Sequence, residues 1–143
     1  MTLTDRFGRI HRDLRISLTD HCNLRCTYCM PAEGVPWLPR KTLLTPEELM
    51  RIVRVAVGEG IEEVRLTGGE PLLRPDCVAV VAAIASVEPR PEISITTNGI
   101  GLSRLAEALK QAGLARVNIS LDTLKPDRFH QLTRRNRLAD VLA

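Results

Sequence analysis

Apolar and polar residues alternate with a period of two in four short segments, and a helical pattern or a long connection follows each one. Leu14, Ile16 and Leu18 alternate with Arg15, Ser17 and Thr19, and Val64 and Leu66 alternate with Arg65 and Thr67. Further on, Ile93 and Ile95 are set against Ser94 and Thr96, and Val117, Ile119 and Leu121 against Asn118, Ser120 and Asp122. This period predicts strands over residues 14–19, 63–67, 92–97 and 116–122. After the first strand, Thr45-Pro46-Glu47-Glu48 forms a capping box with proline at the first helical position. Leu49, Ile52, Val53, Ala56 and Val57 continue at helical spacing until Gly58 and Gly60. A second helix over residues 75–87 is stopped by Pro89 and Pro91. A third places Leu102, Leu105, Ala106 and Leu109 on one face and stops at Gly113. Pro126 opens a fourth helical stretch, interrupted at the basic run 134–137, which reads as a solvated loop. Residues 139–143 begin another apolar run.

Strand and helix in alternation imply parallel strands joined by right-handed crossovers, an α/β architecture. Parallel strands covered on both faces read as continuous apolar runs, and these do not. Each strand has one apolar face for helices and one polar face. A parallel sheet curved around a ligand-filled interior, with the helices outside as in a barrel, explains that pattern best. An antiparallel sheet with one solvated face would share the alternation, but the intervening helices argue against it.

The chain's 143 residues suffice for one domain with a real core. With 44% apolar and 26% charged residues, the composition is that of a globular protein rather than a disordered one. A net charge of +3 without a long basic run gives no case for nucleic-acid binding. The longest apolar stretch, residues 77–85, is too short to span a bilayer, so no membrane partner is expected. The first residues lack the apolar core of a secretory signal, and a cytoplasmic setting follows.

Four cysteines change the picture. Cys22, Cys26 and Cys29 stand in CxxxCxxC spacing directly after the first strand, whereas Cys77 is alone on an apolar helix and reads as packing. Reducing conditions make a disulfide framework the poorer explanation. Three thiolates suit a cubane iron–sulfur cluster and leave one iron without a protein ligand. A structural zinc site is the alternative, but it usually closes with a fourth ligand in paired CxxC motifs, and no second pair exists. His21 would reach as a fourth ligand only with strain.

The CxxxCxxC motif with Tyr28 before its last cysteine resembles the signature of the radical S-adenosylmethionine (SAM) superfamily. Thr67-Gly68-Gly69-Glu70-Pro71 resembles the second hallmark of that superfamily. The two glycines would let backbone come close to a ligand. Within the superfamily, the chain is similar to the GTP 3′,8-cyclase family of molybdenum cofactor biosynthesis over essentially its whole length. The matching stretches are Asp5-Arg6-Phe7-Gly8-Arg9, residues 14–20, Cys29-Met30-Pro31, residues 66–74, Thr96-Thr97-Asn98-Gly99 and residues 118–122. The resemblance implies a partial TIM-like radical-SAM barrel, of which this chain supplies the first four βα units. It implies a [4Fe-4S] cluster on Cys22, Cys26 and Cys29 with an open iron for SAM. It implies SAM contacts at Tyr28, Gly69 and Ser120 and GTP contacts at Arg15, Arg65 and Thr96. A reductant such as flavodoxin or ferredoxin and a homodimer are implied in the same way.

The alternation independently puts Arg15, Arg65, Thr96 and Ser120 on the polar interior face, with Asn98 and Asp122 as further polar candidates. An ion pair with Asp20, Glu63 or Asp122 is the structural alternative for either arginine, but two arginines on one interior face favour a ligand. Members of the family are longer and carry three later cysteines for a second [4Fe-4S] cluster that binds the GTP base, and no cysteine follows Cys77 here. The chain therefore reads as the N-terminal portion of a radical SAM core, with the fourth strand left at an open edge. A non-catalytic cluster- or SAM-binding fragment and a different radical SAM enzyme, such as a peptide-modifying one, are the alternatives to the cyclase.

Overall fold

The four alternating segments pair side by side as parallel strands in the computed structural model, which describes residues 2–143. Strands β1 (Asp13–Ser17), β2 (Glu63–Thr67), β3 (Glu92–Thr97) and β4 (Arg116–Ile119) lie in chain order across the sheet. The connections carry helices α1 (Pro46–Gly58), α2 (Cys77–Ala85) and α3 (Leu102–Ala112). The capping box at Thr45 and Glu48 forms as the sequence predicts and starts α1. Leu49, Met50, Val53 and Val57 of α1, Cys77, Val80, Val81 and Ile84 of α2, and Leu109 of α3 make one core with Ile16, Leu18, Val64, Leu66, Ile93 and Ile95. Burying each of these side chains contributes about 1.5–3 kcal/mol. Cys77 sits inside this core, and burial pushes its thiol up to about 11. No helix among the described residues is long and apolar enough to cross a membrane.

Several boundaries differ from the sequence expectation for identifiable reasons. Helix α2 starts at Cys77, because Pro71–Leu73 first forms a 3-10 turn. The Arg74 guanidinium then pairs with Asp76 and donates to the carbonyls of Leu18 and Leu44 at 3.0 and 2.9 Å. Strand β4 stops at Ile119, so Ser120 and Asp122 lie on the loop beyond it, although the Ser120 N–H still donates to the Thr97 carbonyl at 2.8 Å. Two further helices, α4 (Pro126–Thr133) and α5 (Leu138–Leu142), do not join the main core. Their Phe129 and Leu138 pack with Leu24 and Ile100 in a second, smaller cluster.

The face opposite the helices is layered along the strand direction. Asp13 pairs in register with Glu63, and Glu63 with Glu92. The next layer runs Arg15, Arg65, Ser94 and Arg116. Nearest the C-terminal ends, Ser17 pairs with Thr67 and Thr96 with Asn118. Glu63 Oε1 accepts from Arg116 at 2.6 Å, from the Ser94 hydroxyl at 2.9 Å and from Arg65 at 3.1 Å. These bonds, Arg116's above all, hold its carboxyl at about 2.

Two outcomes follow from this arrangement. An unfolded chain returns Glu63 to 4.5, so its contribution to stability is complete above that pH and is lost as pH falls toward about 2. The thermal midpoint of the wild type should therefore converge on that of Glu63→Gln over this interval, and parallel pH curves would contradict the assignment. Every residue of β4 is exposed and it pairs only with β3, so its amides should exchange about tenfold or more faster than those of β2. Hydrogen exchange by mass spectrometry reads this directly, and equal protection would refute it.

Candidate functional site

Parallel strands deliver all their C-terminal ends to one edge, and the loops that follow meet there. The β2 exit lies directly against the β1 exit. Gly69 N–H donates to the Thr19 carbonyl and Glu70 N–H to the His21 carbonyl, both at 2.7 Å. A Cβ on Gly68 would sit 2.5 Å from the Thr19 oxygen, and one on Gly69 would collide with the carbonyls of Asp20 and His21. Close backbone approach is what the sequence expects of this pair, and within the protein it brings them against the β1 loop. The Glu70 side chain is 1% exposed. Its Oε1 accepts from the Thr97 hydroxyl at 2.6 Å and from Leu72 N–H at 3.0 Å, and its Oε2 accepts from Asn98 N–H at 2.7 Å. Burial pushes its carboxyl up, against the pull of those donors. Asn98 in turn donates through Nδ2 to Asn23 Oδ1 at 2.7 Å, which ties the β3 exit to the residue beside Cys22.

The cysteine loop is folded on itself. Cys26 O accepts from the N–H groups of Cys29 and Met30 at 3.0 and 2.9 Å. Arg25 Nη1 donates to the carbonyls of Cys22 and Leu24, both at 2.8 Å, and its guanidinium lies 5.0 Å from the centre of the Trp37 ring. His21 stacks on the same indole with ring centres 5.0 Å apart, so it serves as packing rather than as a ligand. Leu24 is buried in the second cluster, and Cys22 and Cys26 pack half-buried against it, while Cys29 is exposed. Two distant elements hold the loop from outside. Tyr28 Oη donates to Asp122 Oδ2 at 2.7 Å, beyond β4. At the end of α4, the carbonyls of Leu132 and Thr133 accept from Thr27 and Arg25 N–H at 2.8 and 2.9 Å. Arg134 Nη1 donates to the carbonyls of Arg25 and Met30, both at 3.1 Å.

The donor set of this loop fits an iron–sulfur cluster. All three thiols are free, and no disulfide competes for them. Burial raises the Cys22 and Cys26 thiols, and the charge of neighbouring thiolates raises them further. A cationic centre that binds sulfur would relieve that cost at Cys22 and Cys26. Among the described residues, no three His, Cys, Asp or Glu side chains form a group that would hold a single metal ion. A cubane bonds each cysteine to a different iron, which spreads the thiols more widely than a single ion does.

The other sequence-derived candidates divide into two groups. Tyr28, Gly69 and Ser120 belong to the three loops that border the cysteine loop or form part of it. Arg15, Arg65 and Thr96 lie on the layered polar face below. Arg65 pairs with Glu63, and its buried Nε has no partner. Arg15 only approaches the Thr67 hydroxyl, at 3.4 Å. The structural alternative therefore describes part of Arg65's role and none of Arg15's. Of the basic run, Arg135 and Arg137 are exposed as expected, but Arg134 is half-buried on the cysteine loop. The Glu70 knot and the Arg134 contacts escape a sequence reading, because, Leu72 apart, their partners lie 27 to 109 residues away.

A family model described as the Radical SAM superfamily matches residues 16–143. The chain is 63% identical over 141 residues to the GTP 3′,8-cyclase of Streptomyces coelicolor, covering 98% of this chain and 41% of that protein. It is 61% identical over 142 residues to the GTP 3′,8-cyclase of Mycolicibacterium smegmatis, covering 99% of this chain and 39% of that protein. The chain thus spans about two fifths of the length of these curated relatives. Among solved structures, Streptococcus suis SuiB bound to S-adenosylmethionine superposes with a TM-score of 0.67 at 26% identity, covering 90% of this chain and 29% of that one. BtrN in complex with AdoMet and 2-DOIA shares the fold, with a TM-score of 0.60 at 19% identity over 94% of this chain and 55% of that one.

Replacing one carboxylate oxygen of Glu70 by an amide turns an acceptor for buried donors into a donor. Glu70→Gln should therefore lower the unfolding free energy by about 1–3 kcal/mol in denaturant titration. A loss below about 0.5 kcal/mol would mean that the three bonds are not what holds this edge together.

Proposed function

The chain belongs to the Radical SAM superfamily, and from that premise we propose that it forms the cluster- and SAM-binding part of a GTP 3′,8-cyclase of molybdenum cofactor biosynthesis. The observation that carries this reading is a loop of three free thiols, Cys22, Cys26 and Cys29, set at the C-terminal edge of a parallel sheet against Gly68-Gly69-Glu70. The three cysteines would hold a [4Fe-4S] cluster. When bound, that group supplies one electron to the sulfonium of SAM and yields a 5′-deoxyadenosyl radical that takes a hydrogen atom from the substrate.

The protein's own part is to bind, orient and exclude water. Tyr28, Gly69 and Ser120 border the place where SAM would lie. Asp122 orients the Tyr28 ring by accepting a hydrogen bond from its hydroxyl. Arg15, Arg65 and Thr96 would receive GTP. The planar donor forks of the two arginines suit phosphate or purine acceptors, and the unpaired Nε of Arg65 is a donor held ready on that face. The high identity to two GTP 3′,8-cyclases supports GTP as the substrate. Work in the cytoplasm, a low-potential donor such as flavodoxin or ferredoxin, and a homodimer complete the proposal.

Anaerobic reconstitution tests it in separable steps. Wild-type protein should retain about four irons per chain, and Cys26→Ala should lose most of them. Reduced protein with SAM should release 5′-deoxyadenosine, and GTP should be consumed along with it. A wild type that holds no iron would sink the whole reading. Iron with 5′-deoxyadenosine but no GTP-derived product would leave either a cluster- and SAM-binding fragment or a different radical enzyme, and iron alone would leave a binding role.

A further inference from the structure

We propose that Arg134 is a positioning residue that closes the cysteine loop into its ligand-ready shape before any cluster is bound. This proposal rests on the reading of Cys22, Cys26 and Cys29 as cluster ligands. Arg134 is the C-cap of α4 and has φ 55°, making it the one non-glycine residue with positive φ among the described residues. Glycine adopts that conformation freely and arginine does not, so a residue needed only to stop the helix has a better choice available. The arginine's worth therefore lies in its side chain. A single nitrogen, Nη1, donates to the carbonyls of both Arg25 and Met30 at 3.1 Å, and the segment between those carbonyls contains Cys26 and Cys29.

The backbone that carries this guanidinium is fixed in turn. Arg134 N–H donates to the His130 carbonyl at 2.7 Å, and the Thr133 hydroxyl donates to the Phe129 carbonyl at 2.8 Å. The last carbonyls of a helix lack partners within it, and here Leu132 and Thr133 offer theirs to Thr27 and Arg25 N–H. Four bonds from three consecutive residues thus grip the loop on its backbone and leave its thiol groups free. The grip uses no atom of a cluster, so it operates in the metal-free protein. A pre-closed loop spends less ordering entropy when a ligand arrives, and it releases that ligand more slowly.

The full chain carrying Arg134→Gly tests this, because glycine relieves the positive φ while removing the side chain. Hydrogen exchange on the metal-free protein should show the amides of residues 25–30 exchanging about tenfold faster than in the wild type, with β2 unchanged. After anaerobic reconstitution, iron should be lost to a chelator about tenfold faster, while the thermal midpoint of the metal-free protein stays equal or rises. Exchange in residues 25–30 within about twofold of the wild type would overturn the proposal and leave Arg134 as a helix stop. Should β2 also lose protection, Arg134→Met, which keeps a long side chain but has no N–H donor, decides on the same amides. Faster exchange confined to residues 25–30 supports the clamp, and wild-type exchange overturns it. A wild type that takes up no iron defeats the cluster reading of the preceding section, and the metal-free exchange still decides the clamp.

Discussion

Glu70 is a carboxylate cut off from water, and the edge of the sheet where the loops meet is organised around satisfying it. A buried charge without donors would cost several kcal/mol, so the chain has to bring donors to it. They come from the β3 exit, through the Thr97 hydroxyl and the Asn98 amide, and from the turn after β2, through Leu72. The same residue's own N–H is spent on His21, at the root of the cysteine loop. Three strand ends are thereby fixed relative to one another by one side chain and its peptide. The relative placement of Cys22, Gly69 and Asn98 follows from that single requirement.

Charge on the polar face is graded rather than mixed. Carboxylates occupy the layer at the N-terminal ends of the strands, guanidiniums the next layer, and hydroxyls and amides the layer nearest the cysteines. Glu63 neutralises Arg116 and one arm of Arg65, so the acidic layer absorbs much of the basic one. The layer adjoining the thiols is polar but uncharged. If GTP and SAM bind as proposed, an anionic ligand would meet the guanidinium layer, with uncharged groups between it and the thiols.

Much of this was legible in the residues themselves. Alternation marked every strand, and β2 and β3 have the boundaries it predicts, because their side chains sort onto two faces without local interference. The Thr45 box and the Gly113 stop are local signals, and both hold. The cysteine spacing is local as well. What stayed hidden is non-local. The fourth helix looks like one more amphipathic crossover, but Phe129 turns it toward Leu24 and the cysteine loop, away from the sheet's main core. Arg134 sits in a run of basic residues whose composition says solvent, and only the fold reveals two carbonyls within its reach. Strand β4 is overread by three residues, because alternation continues past the point where β3 offers it partners.

The grip of α4 on the cysteine loop also has an order in time. Arg134 and Arg25 are 109 residues apart, so a ribosome making about 5–20 residues per second exposes the thiols several seconds before it makes their clamp. Through that interval the nascent loop carries its three cysteines without the support that shapes them. Delivery of iron and sulfide to the growing chain would meet an open, oxidisable segment, whereas delivery after synthesis of the fourth helix would meet a formed cradle. The topology thus favours cluster insertion as a late event in the life of the chain.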